Sequence, residues 1–492
     1  MPFSATRRVS LGLVVLAIAC LWLGDFEISA HDPWQELGRL ALGLVRPDFG
    51  AVDALGEALL RTVAFAFVGV GVGAIAGLLL ALCFHHWWVR TFCAFIRAIH
   101  ELFWALIFLQ SFGLHPLTGV LAIAIPYAGI FAKVYAEILD ETDPTPARTL
   151  PQGTGRLSAL LYARISQAWP HLVSYTAYRL ECGLRSSAVL GFVGMPTLGF
   201  HLASHFAQGH YAVVGALLLI FYLLIASLRL WVRPALLPFY LVAAPFCLGT
   251  GLPIMWSNVS RFFTQDIVPA PLRNGEGLPG LGPWLGDLLL HQALPGIWNT
   301  LLLSQIALVL TGVLAMALFP LISRHFTNRL GGTLGHGVLV VLRSTPEYLL
   351  AFILLQLWGP SMLPAVVALA LHNGGIIAHL VGRRSNEIIL RPDAPRGPLN
   401  RYTYEVAPRV YGPFLALLFY RWEIIMRETA ILGILGIATL GFYVDSAIQE
   451  IRFDRALVLI LITAALNIGV DSLARRLRAY LRLRHTINRQ SC

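Results

Sequence analysis

The residues with chemistry to offer are charged side chains set inside apolar runs. Tyr178-Arg179-x-Glu181-x-x-x-Arg185-x-x-Ala188-x-Leu190-Gly191-x-x-Gly194-x-x-Thr197-Leu198-Gly199-Phe200 returns 242 residues later. The copy reads Tyr420-Arg421-x-Glu423-x-x-x-Arg427-x-x-Ala430-x-Leu432-Gly433-x-x-Gly436-x-x-Thr439-Leu440-Gly441-Phe442. Upstream, Arg97-x-x-x-Glu101 recurs as Arg343-x-x-x-Glu347 at an offset of 246, followed by matching Ala, Ile, Leu, Gln and Gly positions. On a helix, residues four apart share a face, so Glu181 with Arg185, Glu423 with Arg427, Arg97 with Glu101 and Arg343 with Glu347 read as helix pairs. An ionised group at mid-bilayer costs about 2.5–3.5 kcal/mol on insertion scales, so these side chains should face protein or a polar path rather than lipid. Arg179 and Arg421 have no acid four residues away on either side. A guanidinium is a planar fork that matches two oxygens of an oxyanion. Two readings stay open: internal salt bridges between helices, or a path that Arg179, Arg185, Arg421 and Arg427 make anion-selective, with Glu181 and Glu423 keeping the anion from sticking.

The surroundings of these charges are a membrane protein's. Of 492 residues, 57% are apolar and only 13% are Asp, Glu, Lys or Arg; soluble domains carry about 25%. Mean hydropathy is +0.70. Soluble domains and disordered chains are both excluded. Apolar runs of spanning length fall at about 9–24, 59–84, 92–113, 116–136, 171–198 and 211–232, then 235–256, 296–322, 334–358, 361–381, 413–442 and 456–474. Backbone groups in lipid must be satisfied within a segment, so the runs predict twelve helices. Uninterrupted apolar stretches argue against a barrel.

Loop charges predict the orientation. Arg7 and Arg8 precede the first run, residues 25–57 carry Asp25, Glu27, Asp32, Glu36, Asp48, Asp53 and Glu57, and Arg229, Arg233, Arg324 and Arg329 close later spans. The tail holds Arg475, Arg476, Arg478, Arg482, Arg484 and Arg489. Both termini are therefore expected in the cytoplasm, and the tail reads as an anchor that can touch anionic lipid, not a nucleic-acid arm. The first run also has features of a signal sequence. The cysteines, Cys20, Cys83, Cys93, Cys182, Cys247 and Cys492, form no Cys-x-x-Cys pair and read as small packing residues.

Six spans per repeat run the same way through a membrane, which predicts two tandem units, residues 1–233 and 234–492, with a natural pathway between them. Each has one long cytoplasmic loop, about 137–170 and 382–412. The first holds Asp143-Pro144-Thr145-Pro146 and Gly153-Thr154-Gly155-Arg156 and ends at Trp169-Pro170; the second holds Arg396-Gly397 and Arg401, then Tyr402-Thr403-Tyr404-Glu405, and ends at Gly412-Pro413. Pro and Gly at both ends predict a short exposed helix, bracketed by turns and suited to docking a cytoplasmic partner. Lys133 is the only lysine, and its neighbours Ala132 and Val134 do not make a phosphate-binding loop. An ATP-driven process would therefore need a separate hydrolysing subunit.

Residues 92–232 and 334–474 resemble the permease subunit of ABC importers for phosphonates and related phosphorus oxyanions. The Tyr-Arg-x-Glu-x-x-x-Arg…Leu-Gly-x-x-Gly run carries the resemblance in both halves, together with Phe103-Trp104-Ala105-Leu106-Ile107-Phe108 and Tyr175-Thr176-Ala177-Tyr178. It implies an all-α polytopic fold of two six-helix MetI-like units in the bacterial inner membrane. It also implies a periplasmic substrate-binding protein and two copies of an ATPase subunit that carry ATP and magnesium, with no cofactor on this chain. The family's coupling loop has a Gly about seventeen residues before a Pro. Gly153 and Pro170 fit; Gly397 and Pro413 are one residue closer, and Ala147-Arg148-Thr149 stands where Glu-Ala-Ala is usual. Gly153, Arg156, Arg396, Gly397 and Arg401 are the expected ATPase contacts. The family uses two identical permease chains, whereas one fused chain would supply both here. The alternatives are a permease for another small solute and a twelve-helix secondary carrier. His201 and His205 have ligand spacing but no acid or Cys nearby, so no metal site is expected. The glycines after the mid-membrane charges suit either a gate hinge or close packing.

Overall fold

The computed structural model describes residues 2–28, 32–52, 54–143, 145–151 and 153–483. Asp53, Pro144, Arg484, Arg489 and Cys492 lie outside the described residues, as do the side chains of Ala147, Arg148, Arg156 and Arg229. The described residues are helical, with no strand among them.

The first half runs α1 (Pro2–Leu23), α2 (Pro33–Val45), α3 (Leu55–Leu82), α4 (Trp87–Ala98), α5 (Glu101–Phe112), α6 (Pro116–Asp140), α7 (Thr145–Arg148), α8 (Arg156–Ala159), α9 (Ser166–Val189), α10 (Leu198–Ala207) and α11 (Tyr211–Trp231). The second runs α12 (Leu237–Ala243), α13 (Trp256–Arg261), α14 (Ala270–Arg273), α15 (Gly277–Leu288), α16 (Leu294–Leu318), α17 (Arg329–Ser344), α18 (Glu347–Trp358), α19 (Met362–Ser385), α20 (Pro398–Arg401), α21 (Ala407–Ile434), α22 (Leu440–Gln449) and α23 (Phe453–Tyr480).

Among the described residues, seven helices are long and apolar enough to cross a membrane, or ten if each bent pair counts as one span. Some of the apolar runs are bent pairs or short helices rather than single straight spans. The run at 92–113 splits into α4 and α5, bent by 86°, and the run at 334–358 into α17 and α18, bent by 90°. At the second break Thr345 precedes Pro346, which disfavours helical geometry for Thr345 and removes a backbone donor. At the first, Ile99 and His100 are extended, and the His100 imidazole accepts from the Leu102 N–H at 3.2 Å, capping α5. Arg97 and Glu101 therefore sit on different helices, as do Arg343 and Glu347. The four-residue spacing does not put either pair on one helical face. The run at 235–256 yields only a short helix, residues 237–247, and α21 is full-length but too charged to pass as an apolar span.

The chain packs as two compact units, Arg39–Gln265 and Met1–Gly38 with Asp266–Cys492. The sequence period and the packing are thus out of phase. The leading helix of the chain belongs with the second half: Gln305 of α16 donates to the Leu13 carbonyl at 3.2 Å, and the Tyr411 and Ser10 hydroxyls meet at 2.8 Å. The leading segment of the second half belongs with the first: the Tyr240 ring lies edge-on to Phe67 at 5.3 Å, and its hydroxyl donates to the Trp231 carbonyl at 2.8 Å.

In Arg39–Gln265 the core is α3 against α6 and α9. Gly69, Gly73 and Gly77 make one stripe on α3, and a Cβ at Gly73 would stand 3.0 Å from the Ala124 carbonyl of α6, so small residues let the backbones approach. In the other unit α16 takes the place of α3 against α19 and α21.

Both units share the turn that follows the fifth-span helix. The Met195 N–H bonds the Leu190 carbonyl at 3.2 Å, the Ile437 N–H bonds Leu432 at 3.3 Å, and Gly194 (φ 86°) and Gly436 (φ 91°) occupy the left-handed position such a helix stop requires. Gly191 then lies against the backbone of Gly199 and Phe200, and Gly433 against Gly441 and Phe442. The paired glycines are contact points of a tight reversal, which favours close packing over a hinge. The next helix starts on a buried hydroxyl: Leu198 N–H donates to Thr62 Oγ1 at 2.9 Å and Leu440 N–H to Thr300 Oγ1 at 3.0 Å. Thr62→Val or Thr300→Val leaves that donor unsatisfied and is expected to destabilise by about 1–3 kcal/mol. Thermal unfolding of the detergent-solubilised chain checks it; an unchanged midpoint for both variants contradicts the capping role.

Candidate functional site

The repeated motif's charges lie on α9 and α21, and Arg179, Glu181, Arg185, Arg421, Glu423 and Arg427 are each half-buried. Positions seven apart on a helix share a stripe. Arg179 and Ser186 therefore line one stripe of α9, and Arg421 and Glu428 the equivalent stripe of α21.

In Arg39–Gln265 the Ser186 hydroxyl donates to Glu101 Oε1 at 2.8 Å and meets the Tyr127 hydroxyl at 3.2 Å. Glu101 opens α5 immediately after the break, so its carboxylate also stands at a helix N-terminus. His100 Nε2 lies 3.9 Å from it. Two turns toward the α9 start, Arg179 Nε donates to the Tyr175 hydroxyl at 2.8 Å, and the guanidinium lies over the rings of Tyr175 (5.3 Å) and Tyr178 (5.7 Å). Tyr127, Phe131 and Tyr135, four residues apart on α6, continue the aromatic wall, and Tyr135 bonds Thr176 at 2.6 Å. An aromatic wall orients the guanidinium without neutralising it.

The second unit builds the same place with different chemistry. Asn373 of α19, 246 residues after Tyr127, donates from Nδ2 to Glu428 Oε2 at 2.9 Å and accepts at Oδ1 from Arg421 at 3.3 Å. Glu428, 242 residues after Ser186, is buried. Glu347 opens α18 as Glu101 opens α5, and buried His372 places Nε2 3.7 Å from it.

No family model matches the chain, and no solved structure matches it. Over 497 residues it is 26% identical to the phosphate-import permease protein PhnE of Mycolicibacterium smegmatis, covering 94% of this chain and 93% of the relative. The phosphite transport system permease protein PtxC of Stutzerimonas stutzeri is 26% identical over 43% of this chain and 82% of its own length. A third relative, from Escherichia coli, is named "Putative cryptic phosphonate transport system permease protein PhnE2"; it is 33% identical over 84 residues, 69% of its length. The chain belongs to the permease-subunit family of phosphonate-type ABC importers. One relative matches nearly the whole permease while PtxC matches about two fifths of it, as two fused units require. The permease is a multi-pass membrane protein, and its relatives are transport components.

The permease's loops at 137–170 and 382–412 differ from the bracketed short helix expected of them. Pro170 and Pro413 lie inside α9 and α21, and each helix extends back through a π turn, residues 160–165 and 402–406, to Arg156 and Pro398. The stops are upstream, in residues 141–155 and 386–397. Gly153 is exposed with φ 97°, a conformation suited to glycine, whereas Gly397 is extended. Arg396 is exposed. Arg401 points inward: its guanidinium donates to the carbonyls of Pro395, His325 and Arg396 at 3.2, 3.0 and 3.3 Å and so braces the loop. Buried Glu405 accepts from the Arg391 N–H at 3.2 Å and from Arg409 at 2.8 Å. What the two loops do present alike is apolar: Leu157 (67% exposed) and Tyr162 (79%) match Leu399 (74%) and Tyr404 (75%) at the 242-residue offset.

Sequence reasoning did not single out Tyr127, Ser186, His372, Asn373 or Glu428. The available signal was the polar residue inside each fourth span, at matched positions of the repeat. Cys83 is exposed, so not every cysteine is a packing residue.

Proposed function

We propose that this permease is the membrane passage of an ATP-driven importer for a phosphorus oxyanion: phosphonate, phosphate, phosphite or hypophosphite. The similarity to a phosphate-import permease across 94% of the chain carries the reading. Two ATPase subunits supply ATP and magnesium, since no phosphate-binding loop occurs in the sequence. A periplasmic binding protein delivers the substrate, and both termini face the cytoplasm of a bacterial inner membrane. Nucleotide binding and release on the ATPases shift the permease between states that expose the path to opposite sides.

Arg179 and Arg421 give the path its anion preference. Both are half-buried and held from the side, Arg179 by Tyr175 and Arg421 by Asn373. Arg185 and Arg427 add positive charge nearly two turns further on, and Glu181 and Glu423 lower the affinity enough for release. The two sequence repeats, 1–233 and 234–492, each supply one such arginine stripe.

The function is tested by uptake of labelled phosphate and methylphosphonate into vesicles holding the permease, its ATPase and its receptor. Accumulation that requires ATP is expected; accumulation by the permease alone, with no ATPase, sinks the proposal.

Docking of the ATPases rests on the exposed Leu157–Tyr162 and Leu399–Tyr404 faces. Burying one such side chain at an interface contributes about 1.5–3 kcal/mol, so Leu157→Asp and Leu399→Asp should each weaken ATPase binding about ten- to hundredfold. Co-purification of tagged ATPase reads the effect. Full retention by the double variant contradicts docking at these faces.

A further inference from the structure

The second unit gathers three metal-ligating groups where the first has Glu101 and His100. Glu347 of α18, His372 of α19 and Glu428 of α21 offer oxygen, nitrogen and oxygen donors that all lie within 4.8 Å of one another. Three helices supply them, so the cluster is a tertiary feature and not a charge run along one element.

Two supporting hydrogen bonds set these donors as a metal site needs them. His372 Nδ1 lies 2.8 Å from the Thr345 carbonyl. A carbonyl only accepts, so Nδ1 carries the proton, and in the neutral ring Nε2 keeps its lone pair toward the carboxylates. A backbone carbonyl on the far nitrogen is the common partner of a metal-bound histidine. The Glu428 carboxylate is oriented in the same manner by Asn373 Nδ2 at 2.9 Å. The Thr345 carbonyl is available because Pro346 breaks the helix there.

The distances suit a small divalent cation. Tetrahedral ligands at about 2.1 Å from a metal stand about 3.4 Å apart. His372 Nε2 and Glu347 Oε2 are 3.7 Å apart, and the whole set needs to close by little more than an ångström. When both carboxylates are ionised beside a neutral imidazole, they carry two negative charges, which a divalent cation balances in a place where unbalanced charge is costly. Mixed oxygen and imidazole donors suit zinc or another first-row divalent ion better than magnesium or calcium, which take oxygen only.

The first unit lacks the set. Pro126 stands at the His372 position and Ser186 at the Glu428 position, leaving Glu101 as the lone carboxylate of the three. The geometry points to one divalent transition-metal site per chain, held by Glu347, His372 and Glu428 and confined to the second unit. Such an ion would tie α18, α19 and α21 together beside Arg421, giving this unit a fixed pivot that its counterpart does not have.

The test is metal binding by the purified full-length chain, read apart from transport. After chelator treatment the chain is loaded with Co2+, then measured for bound metal and for visible d–d absorption, with Zn2+ as competitor. About one equivalent per chain, displaced by Zn2+, is expected. His372→Ala and Glu428→Gln should each lose at least nine-tenths of it, whereas His201→Ala should keep it. Glu428→Gln retains the bulk of the side chain and its contact with Asn373, so it separates lost ligation from lost folding, with size-exclusion elution as the check. No bound Co2+ or Zn2+ in the folded wild-type chain overturns the site, and so does undiminished binding in both variants. In either case the cluster is an Arg421–Asn373–Glu428 polar network without a metal.

Discussion

Gly199→Ala and Gly441→Ala are expected to abolish accumulation of folded permease. A Cβ at Gly199 would overlap the Ala188 carbonyl oxygen, and one at Gly441 the Ala430 carbonyl oxygen. Both obstacles are backbone atoms of the preceding helix, so no rotamer change relieves them. Forcing that turn apart also pulls α10 from the Thr62 hydroxyl and α22 from Thr300. Losses of this kind exceed about 4 kcal/mol, a large share of the stability of most domains. Gly469→Ala is the control, because nothing within 4 Å opposes a Cβ there. Membrane yield and monodispersity in detergent measure the outcome. Normal yield of either turn variant would show that the two helices do not touch as described.

The second large effect concerns transport. Arg179→Ala and Arg421→Ala should each lower oxyanion uptake about ten- to hundredfold, the cost of losing a charge-assisted contact of about 1.5–3 kcal/mol. ATPase co-purification should remain normal, since neither residue lies in the loops at 137–170 and 382–412. Arg179→Lys restores charge but not the planar fork and should recover only part of the rate. Arg185→Ala and Arg427→Ala, outside the hydrogen-bonded stripe, should act in the same direction but less. Wild-type uptake by the Arg179→Ala, Arg421→Ala double variant would remove the arginines from the path.

The two units have the same scaffold and different polar interiors. Tyr127 and Ser186 give the first a hydroxyl relay to Glu101; Asn373 and Glu428 give the second an amide bridge between an arginine and a carboxylate. A duplicated chain fused end to end frees each copy to diverge at such positions, because a change in one no longer appears in the other. A pair of identical chains has no such freedom.

Composition and the twofold motif alone determined that the chain is helical, lies in a membrane and repeats itself, because lipid leaves an apolar backbone few alternatives to a helix. The arginines of the motif stand out in the sequence because charge within an apolar run is costly in lipid. Only the tertiary structure decided where the helices break. The α4–α5 corner has no proline and carries the capping His100 side chain, and Pro170 and Pro413, which looked like stops, sit inside helices that each follow a π turn. Three-dimensional packing alone also brought Glu347, His372 and Glu428 together and placed α1 with the second half. Those residues are 25, 56 and some 300 positions apart, and hydrophobic periodicity reports which side of a helix is buried, not which helix will cover it.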